Sequence, residues 1–165
     1  MKALLPQTCP LALLYATWVV YVAGFAYLVL ELDLLMAVVW LVALPAAWWG
    51  YVTLFPAVSR YLGYGRVDDV APTAVEESPV KVTMYSSLGC PFCPIVEARL
   101  EALRRDMGFE FEHTDVTLRP GLLVAKGIRS VPVVEVGERR HVGHATTREL
   151  AELIGGAVGG AGGER

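Results

Sequence analysis

Two cysteines stand two residues apart in the string CPFC, at Cys90 and Cys93. A CxxC pair can hold a zinc ion, close a disulfide or exchange electrons as a dithiol. In thiol exchange the thiolate attacks, and a second thiol close by resolves the mixed disulfide that forms. The spacing therefore makes Cys90 the candidate nucleophile and Cys93 the candidate resolving thiol, both catalytic.

The remaining metal-ligand side chains decide between redox chemistry and a metal site. A structural zinc site needs four ligands, usually from two such pairs. Only Cys9 and three histidines could complete one, and none of them shows ligand spacing: His113, His141 and His144. Dithiol redox chemistry is the leading interpretation, with no bound cofactor or metal expected. Zinc, a purely structural disulfide and a metal-bridged dimer are the alternatives. Cys9 is expected to be an idle thiol, or else to be acylated or to form a mixed disulfide with Cys90.

A strand and a helix must position the CPFC string. The alternating, β-rich residues 80–85 predict a strand. Apolar residues at helical spacing then predict a helix that opens at CPFC and ends at Gly108. Its buried stripe is Val96, Leu100, Leu103 and Met107.

The expected start of this helix bears on the reactivity of the first cysteine. Cys90 at the N-cap would meet unpaired N–H groups and the positive end of the helix dipole, which predicts a lowered thiol pKa. Pro91 takes the first helical position, where a missing N–H costs nothing. Pro94 cannot donate to the carbonyl of Cys90, so we expect a loosened first turn.

The rest of the C-terminal half continues the alternation of strands and helices. We predict strands over 109–116, 131–136 and 139–142, and a short irregular helix over 118–128. Thr146 and Glu149 form a capping box for a last helix. This helix is predicted to run to Ile154, with Gly155 as its C-terminal stop. The predicted order is β-α-β-α-β-β-α. Acidic and basic residues balance from Val80 onwards, so nothing indicates nucleic acid as a partner.

The N-terminal third is strongly apolar, and the whole chain has a mean hydropathy of +0.47. Residues 11–30 and 34–58 carry no charge, and each run is long enough to cross a bilayer. We predict a transmembrane hairpin within residues 1–60, with its tip at residues 31–33. The alternatives are a cleaved signal peptide and two buried helices of a soluble core.

Basic residues near the ends of the hairpin predict its orientation. Lys2 precedes the first span, and Arg60 and Arg66 follow the second, whereas the tip has no Lys or Arg. Both ends should therefore face the cytoplasm. Residues 61–79 are predicted to be a linker, because they are rich in Gly, Pro and acidic residues. The Gly-rich residues 156–165 are predicted to be a flexible tail.

A second motif, GIRSVPVVEV at residues 127–136, follows the CxxC by about 40 residues. With it, residues 80–155 resemble the thioredoxin superfamily. The resemblance implies a thioredoxin-like α/β fold with a four-stranded mixed sheet, preceded here by the two transmembrane helices. In that superfamily a cis-proline lies against the CxxC, and Pro132 after Val131 matches it. The backbone of Val131 would then pair with a substrate peptide.

Within the superfamily, the small size and the CPFC string are similar to glutaredoxins and short glutaredoxin-like thioredoxins. Residues 142–145, Val-Gly-His-Ala, are nearer to the thioredoxin pattern than to the Gly-Gly of glutathione-binding glutaredoxins. Met84 stands where thioredoxins carry a buried Asp. The resemblance places Pro91, Phe92 and His144 beside the CxxC as substrate-binding candidates. A solvated loop histidine is the simpler expectation for His144.

These observations predict a membrane-anchored thiol–disulfide oxidoreductase. Its partners would be the lipid bilayer, a disulfide-containing substrate and a thiol reductant. Reduction at the cytoplasmic face is the expected direction, because cytosolic pools are reducing. The alternatives are an oxidase, isomerase or electron carrier facing outward, and a redox-sensing adaptor without turnover.

Overall fold

A computed structural model describes residues 8–31, 33–59, 61 and 80–161 of the chain. It contains two long helices followed by a small α/β domain. Most of the predicted linker and residues 162–165 lie outside the described residues. The elements in chain order are β1 (Cys9–Pro10), α1 (Leu11–Leu30), α2 (Leu34–Ser59), β2 (Lys81–Ser86), α3 (Cys93–Met107), β3 (Glu110–Asp115), α4 (Pro120–Lys126), β4 (Ser130–Val131), β5 (Val133–Val136), β6 (Arg139–Val142) and α5 (Thr147–Ala161).

Helices α1 and α2 form the hairpin that the charge-free runs predicted. The Asp33 carboxylate accepts from the backbone N–H of Met36 at 3.1 Å and so caps α2. The helices meet where the Trp40 indole donates to the carbonyl of Tyr21 at 3.1 Å. Gly24 allows this approach, since a Cβ there would lie 2.6 Å from the Trp40 ring.

The surface of this hairpin is apolar and largely uncovered. Residues 11–30 and 34–55 are long and apolar enough to cross a membrane by length and composition. Most large apolar side chains of the two helices are exposed, and their buried residues are Leu11, Ala37 and Ser59. The hairpin therefore leaves a large apolar surface uncovered by the rest of the described chain.

The predicted four-stranded mixed sheet is confirmed, in the order β3-β2-β5-β6. Strands β2 and β3 are parallel, and the other neighbours are antiparallel. The predicted strand over 131–136 is divided into β4 and β5 at Pro132, which has no N–H to donate to a ladder. The Val131–Pro132 peptide bond is cis.

Helix α3 begins later than the sequence predicted. The expectation that Cys90 caps it was wrong, because the N-cap is Phe92 and the helix begins at Cys93. Pro94 lacks the N–H that would bond to the Cys90 carbonyl. The N–H of Val96 donates to the Phe92 carbonyl at 3.1 Å, as expected of a helix that starts after Phe92. Gly108 ends the helix with a left-handed backbone, as predicted.

The last helix, α5, starts as predicted but ends beyond Gly155. The capping box is present, since the Thr146 N–H donates to the Glu149 carboxylate at 2.7 Å. The predicted stop at Gly155 was wrong, and the predicted flexible tail is helical as far as Ala161. Arg139 packs so closely against Gly156 that a Cβ there would clash with its guanidinium. A small residue therefore lets the helix continue beside β6.

The buried stripe of α3 gives a stability prediction. Leu100 is fully buried in the domain core. We expect Leu100→Ala to lower the free energy of unfolding by about 2–5 kcal/mol, because it removes apolar contacts and leaves a cavity. Thermal denaturation of the detergent-solubilised chain, followed by circular dichroism, measures this. Leu118→Ala is the matched control, since Leu118 is 91% exposed. An equal loss in both variants would contradict the assignment of Leu100 to the core.

Candidate active site

Both cysteines of the CPFC string lie at the end of β2 and the start of α3. Cys90 and Cys93 are thiols and are almost fully buried. A turn fixes the first of them, because the Cys90 N–H donates to the Ser87 carbonyl at 3.1 Å. The Cys90 thiol approaches the Val131 carbonyl, with 3.9 Å between sulfur and oxygen. The dithiol therefore lies directly against the Val131–Pro132 segment.

The other predicted substrate-binding residues lie in the same place. Pro91 and Phe92 are buried beside the cysteines, and Val131 and Pro132 are buried below them. The Phe92 and His144 rings meet edge to face, with centroids 6.1 Å apart. The structure thus brings all seven predicted site residues together, while their roles stay predictions.

His144 differs from the simpler expectation of a solvated loop histidine. Its side chain is buried, and its Nε2 lies 2.9 Å from a guanidinium nitrogen of Arg99. An arginine can only donate hydrogen bonds, so Nε2 accepts and the ring proton sits on Nδ1. His144 therefore contributes a neutral, fixed ring to the wall beside Phe92.

Arg99 is a site residue that sequence reasoning missed. Only 3% of its surface is exposed, and it also donates to the carbonyl of Ala145. A signal was present, since Arg99 lies three residues after Val96 on the buried side of α3. Arg99 holds the loop that carries His144 against the helix that carries Cys93.

Removing this guanidinium should destabilise the domain. Arg99→Leu leaves the Ala145 carbonyl and His144 Nε2 buried without this donor, which we expect to cost about 1–3 kcal/mol of the free energy of unfolding. Urea denaturation followed by circular dichroism measures it. Arg105→Leu is the control, because Arg105 is exposed on the same helix and should change stability by about 0.5 kcal/mol or less. Equal stability of the two variants would argue against a structural role for Arg99.

The electrostatics of Cys90 overturn the expected lowering of its pKa. A hydrogen bond from the Cys9 side chain lowers the pKa of Cys90, but the neighbouring Cys93 thiol and burial raise it to about 12. The Phe92 backbone N–H lowers it again by less. The reason for the change is the surroundings, since Cys90 is covered and precedes the helix instead of capping it.

The N-terminal helices supply part of that cover. The Phe55 ring of α2 meets the Phe92 ring edge to face at a centroid distance of 5.4 Å. The Trp48 indole lies against Gly89, where a Cβ would be 2.8 Å from its Nε1. The dithiol therefore faces the hairpin at the end where α1 begins and α2 finishes.

Strand β1 supplies the rest of the cover. It pairs antiparallel with β4, with Cys9 opposite Val131 and Pro10 opposite Ser130. Leu11 is 4% exposed and belongs to the core of the domain. The sequence had offered a mixed disulfide of Cys9 only as an alternative, and no local pattern predicted this strand.

The two remaining histidines lie outside this arrangement or at its rim. His113 bonds to Ser86 at 2.6 Å and to Glu97 at 3.2 Å, which ties β2, β3 and α3 together. His141 lies behind the His144 loop, with its Nε2 3.4 Å from the His144 carbonyl oxygen. Three further polar side chains lie elsewhere: Tyr85 donates to Glu135, Arg119 is exposed before α4, and Arg129 is exposed before β4. Within residues 8–31, 33–59, 61 and 80–161, no group of three or more His, Cys, Asp or Glu side chains is arranged to hold a metal ion.

Comparison with known proteins identifies the domain that carries this site. Residues 81–154 match the family model described as a glutaredoxin-like domain (DUF836). Over 80 residues the chain is 30% identical to a thioredoxin of Methanocaldococcus jannaschii, and the alignment covers 47% of this chain and 94% of that protein. The chain belongs to the thioredoxin superfamily. Its C-terminal half is a thioredoxin- and glutaredoxin-like redox domain.

Three further proteins are similar to part of the chain. The chain is 39% identical over 62 residues to N-acetyl-S-hydroxy-L-cysteine reductase of Bacillus subtilis, which covers 35% of this chain and 62% of that one. It is 33% identical to the NTD_N/C domain structure of alkylhydroperoxide reductase AhpF from Enterococcus faecalis, with a TM-score of 0.44 over 47% of this chain and 38% of that chain. A thioredoxin mutant from Halobacterium salinarum aligns at 24% identity and a TM-score of 0.44, over 57% of this chain and 86% of that one.

Proposed function

We propose that this chain is a membrane-anchored thiol–disulfide oxidoreductase that reduces protein or small-molecule disulfides at the cytoplasmic face. The observation that carries the proposal is the meeting of Cys90 and Cys93 with the Val131–Pro132 segment. Membership of the thioredoxin superfamily supports it. So does the named reductase among its relatives.

The reaction follows from the order of the two thiols. The Cys90 thiolate attacks one sulfur of the substrate disulfide, and the other substrate sulfur leaves as a thiolate. The Cys93 thiolate then attacks Cys90, which releases the second substrate thiol and closes the Cys90–Cys93 disulfide. An external dithiol or reductase returns the pair to the reduced state. Two electrons pass in each cycle.

The residues around the dithiol would orient the substrate. The edge of β4 that now pairs with β1 would pair with an extended substrate peptide once β1 leaves it, and Val131 lies next to the attacking sulfur. The Phe92 and His144 rings form one wall of the approach. Because the anchor helices border the same site, the substrate must enter between the domain and the hairpin.

Turnover by the whole chain tests the enzymatic part of the proposal. The detergent-solubilised protein should accelerate insulin reduction by dithiothreitol, as followed by turbidity. A reversible Cys90–Cys93 disulfide without any turnover would contradict an enzyme and favour a redox-sensing adaptor.

Labelling in intact cells tests the side of the membrane. All three native cysteines are replaced and one new cysteine is introduced by Ala161→Cys. A membrane-impermeant maleimide should label it only after lysis. Prompt labelling in intact cells would contradict the cytoplasmic assignment and favour an extracytoplasmic oxidase, isomerase or electron carrier.

A further inference from the structure

The peptide edge beside the dithiol is occupied by the protein's own N-terminal segment. Cys9 lies opposite Val131 in the β1–β4 pair, and the N–H of Leu11 donates to the Arg129 carbonyl at 3.1 Å. This is the strand-addition geometry expected of a substrate peptide. The segment in that position contains the third cysteine of the chain.

This third cysteine is a neighbour of the nucleophile. Cys9 pairs with Val131, and the Val131 carbonyl oxygen lies 3.9 Å from the Cys90 sulfur. The two thiols are near enough that each shifts the pKa of the other. The neighbouring Cys90 thiol, followed by burial, raises the pKa of the Cys9 thiol. Cys9 therefore lies beside Cys90 at the β4 edge.

Further contacts fix this segment in place. Leu11 is buried in the domain core directly after Pro10. One turn later the Tyr15 hydroxyl donates to the Thr117 carbonyl at 2.9 Å. Because both thiols belong to one chain and are already juxtaposed, exchange between them is intramolecular and needs no encounter.

We propose that Cys9 is a third redox-active cysteine, which exchanges with Cys90 from the substrate strand position as an internal disulfide partner. The inference rests on the proposed thiol–disulfide chemistry of Cys90 and Cys93. In this proposal β1 acts as a substrate that is covalently tethered to the enzyme. An external substrate would then resemble β1, with an extended segment that contains Cys followed by Pro.

The exchange balances without a further oxidant. In the oxidised domain Cys9 gives its proton to water as its sulfur attacks the Cys90 sulfur. The Cys9–Cys90 bond forms, the Cys90–Cys93 bond breaks, and the electron pair leaves on Cys93, which takes up a proton. After attack on a substrate, Cys9 can likewise displace the second substrate thiolate from Cys90. In each case one disulfide is lost and one is formed.

Disulfide mapping in variants that each lack one of the three cysteines tests this pairing. Full-length Cys93→Ser and Cys90→Ser proteins in detergent are equilibrated with mixtures of reduced and oxidised glutathione. They are then quenched in acid, alkylated and weighed by mass spectrometry. We expect Cys93→Ser to form an internal Cys9–Cys90 disulfide. Cys90→Ser, the matched control, should form an internal disulfide at least about tenfold less, because Cys9 pairs with Cys90.

The wild-type chain gives a second readout that does not depend on a variant folding. Chymotryptic cleavage after Phe92 separates Cys90 from Cys93, so a peptide linked to Cys9 identifies its partner. Cys9 linked to Cys90 supports the inference. A Cys90–Cys93 disulfide with Cys9 free in wild type, and Cys9 also free in Cys93→Ser, would overturn it while leaving the proposed function intact. Absence of any disulfide at Cys90 in wild type would overturn both.

Discussion

Replacing Cys90 with serine should abolish insulin reduction by the full-length chain. A neutral hydroxyl is a far weaker nucleophile than a thiolate, so we expect a loss on the order of a thousandfold or more in turnover. The measurement is the initial rate of insulin reduction by dithiothreitol in detergent. Turnover that survives in Cys90→Ser but not in Cys93→Ser would mean that the two thiols have exchanged roles.

The thiols that resolve the mixed disulfide can be identified from the variants in which this intermediate accumulates. Cys93→Ser retains the attacking sulfur, but Cys9 can still displace the substrate from Cys90. We therefore expect a stable mixed disulfide with substrate only in the double variant Cys9→Ser/Cys93→Ser. Mass spectrometry after acid quenching detects the adduct. An equally stable adduct in Cys93→Ser alone would show that Cys9 does not resolve it.

The second large effect concerns the cover over Cys90. Leu11→Glu would bury an unpaired carboxylate in the domain core, so we expect β1 to leave the β4 edge. Because Cys90 is 2% exposed in the covered state, its alkylation by iodoacetamide at pH 8 should rise by about tenfold or more once β1 leaves. Leu13→Glu is the matched control, since Leu13 lies on the same turn of α1 but is 65% exposed. Equal alkylation rates in the two variants would contradict the cover.

The pH dependence of the same reaction checks the electrostatics. With a Cys90 pKa of about 12, the thiolate fraction grows about tenfold for each pH unit from 8 to 11. The alkylation rate of Cys90 in the wild-type chain should therefore rise through this range without a plateau. A plateau near pH 9 would mean that the thiol is not held in the covered arrangement.

Periodicity predicted the elements of this protein better than their ends. The apolar runs predicted both long apolar helices to within a residue, and the Val96 stripe predicted the buried face of α3. The start of α3 was predicted too early. Pro94 has no N–H to donate to the Cys90 carbonyl, and the helix has Phe92 as its N-cap. The end of α5 was predicted too early, because a glycine pair often ends a helix. Here the helix continues through Gly155 and Gly156, and Gly156 packs against Arg139.

The site was predictable where it depends on local sequence and not where distant segments meet. The CPFC string and the Val131–Pro132 motif predicted a candidate site, and the structure brings the two segments together. The β1–β4 pair was not predictable, because Cys9 and Val131 are far apart in the chain and two residues carry no periodic signal. The pKa of Cys90 depends on that same contact and on burial, so local reasoning from the helix dipole gave the wrong direction.

The contact between Trp48 and Gly89 has a spectroscopic consequence. The indole lies against the residue that directly precedes Cys90, so we expect its emission to differ between the reduced and the oxidised dithiol. An excited indole transfers an electron readily to a nearby disulfide and is then dark, whereas the reduced pair quenches it less. Reduction should change the tryptophan fluorescence of the wild-type chain more than that of Trp48→Phe, and the difference isolates the signal of Trp48. The redox state of the dithiol could then be followed by intrinsic fluorescence without an added label.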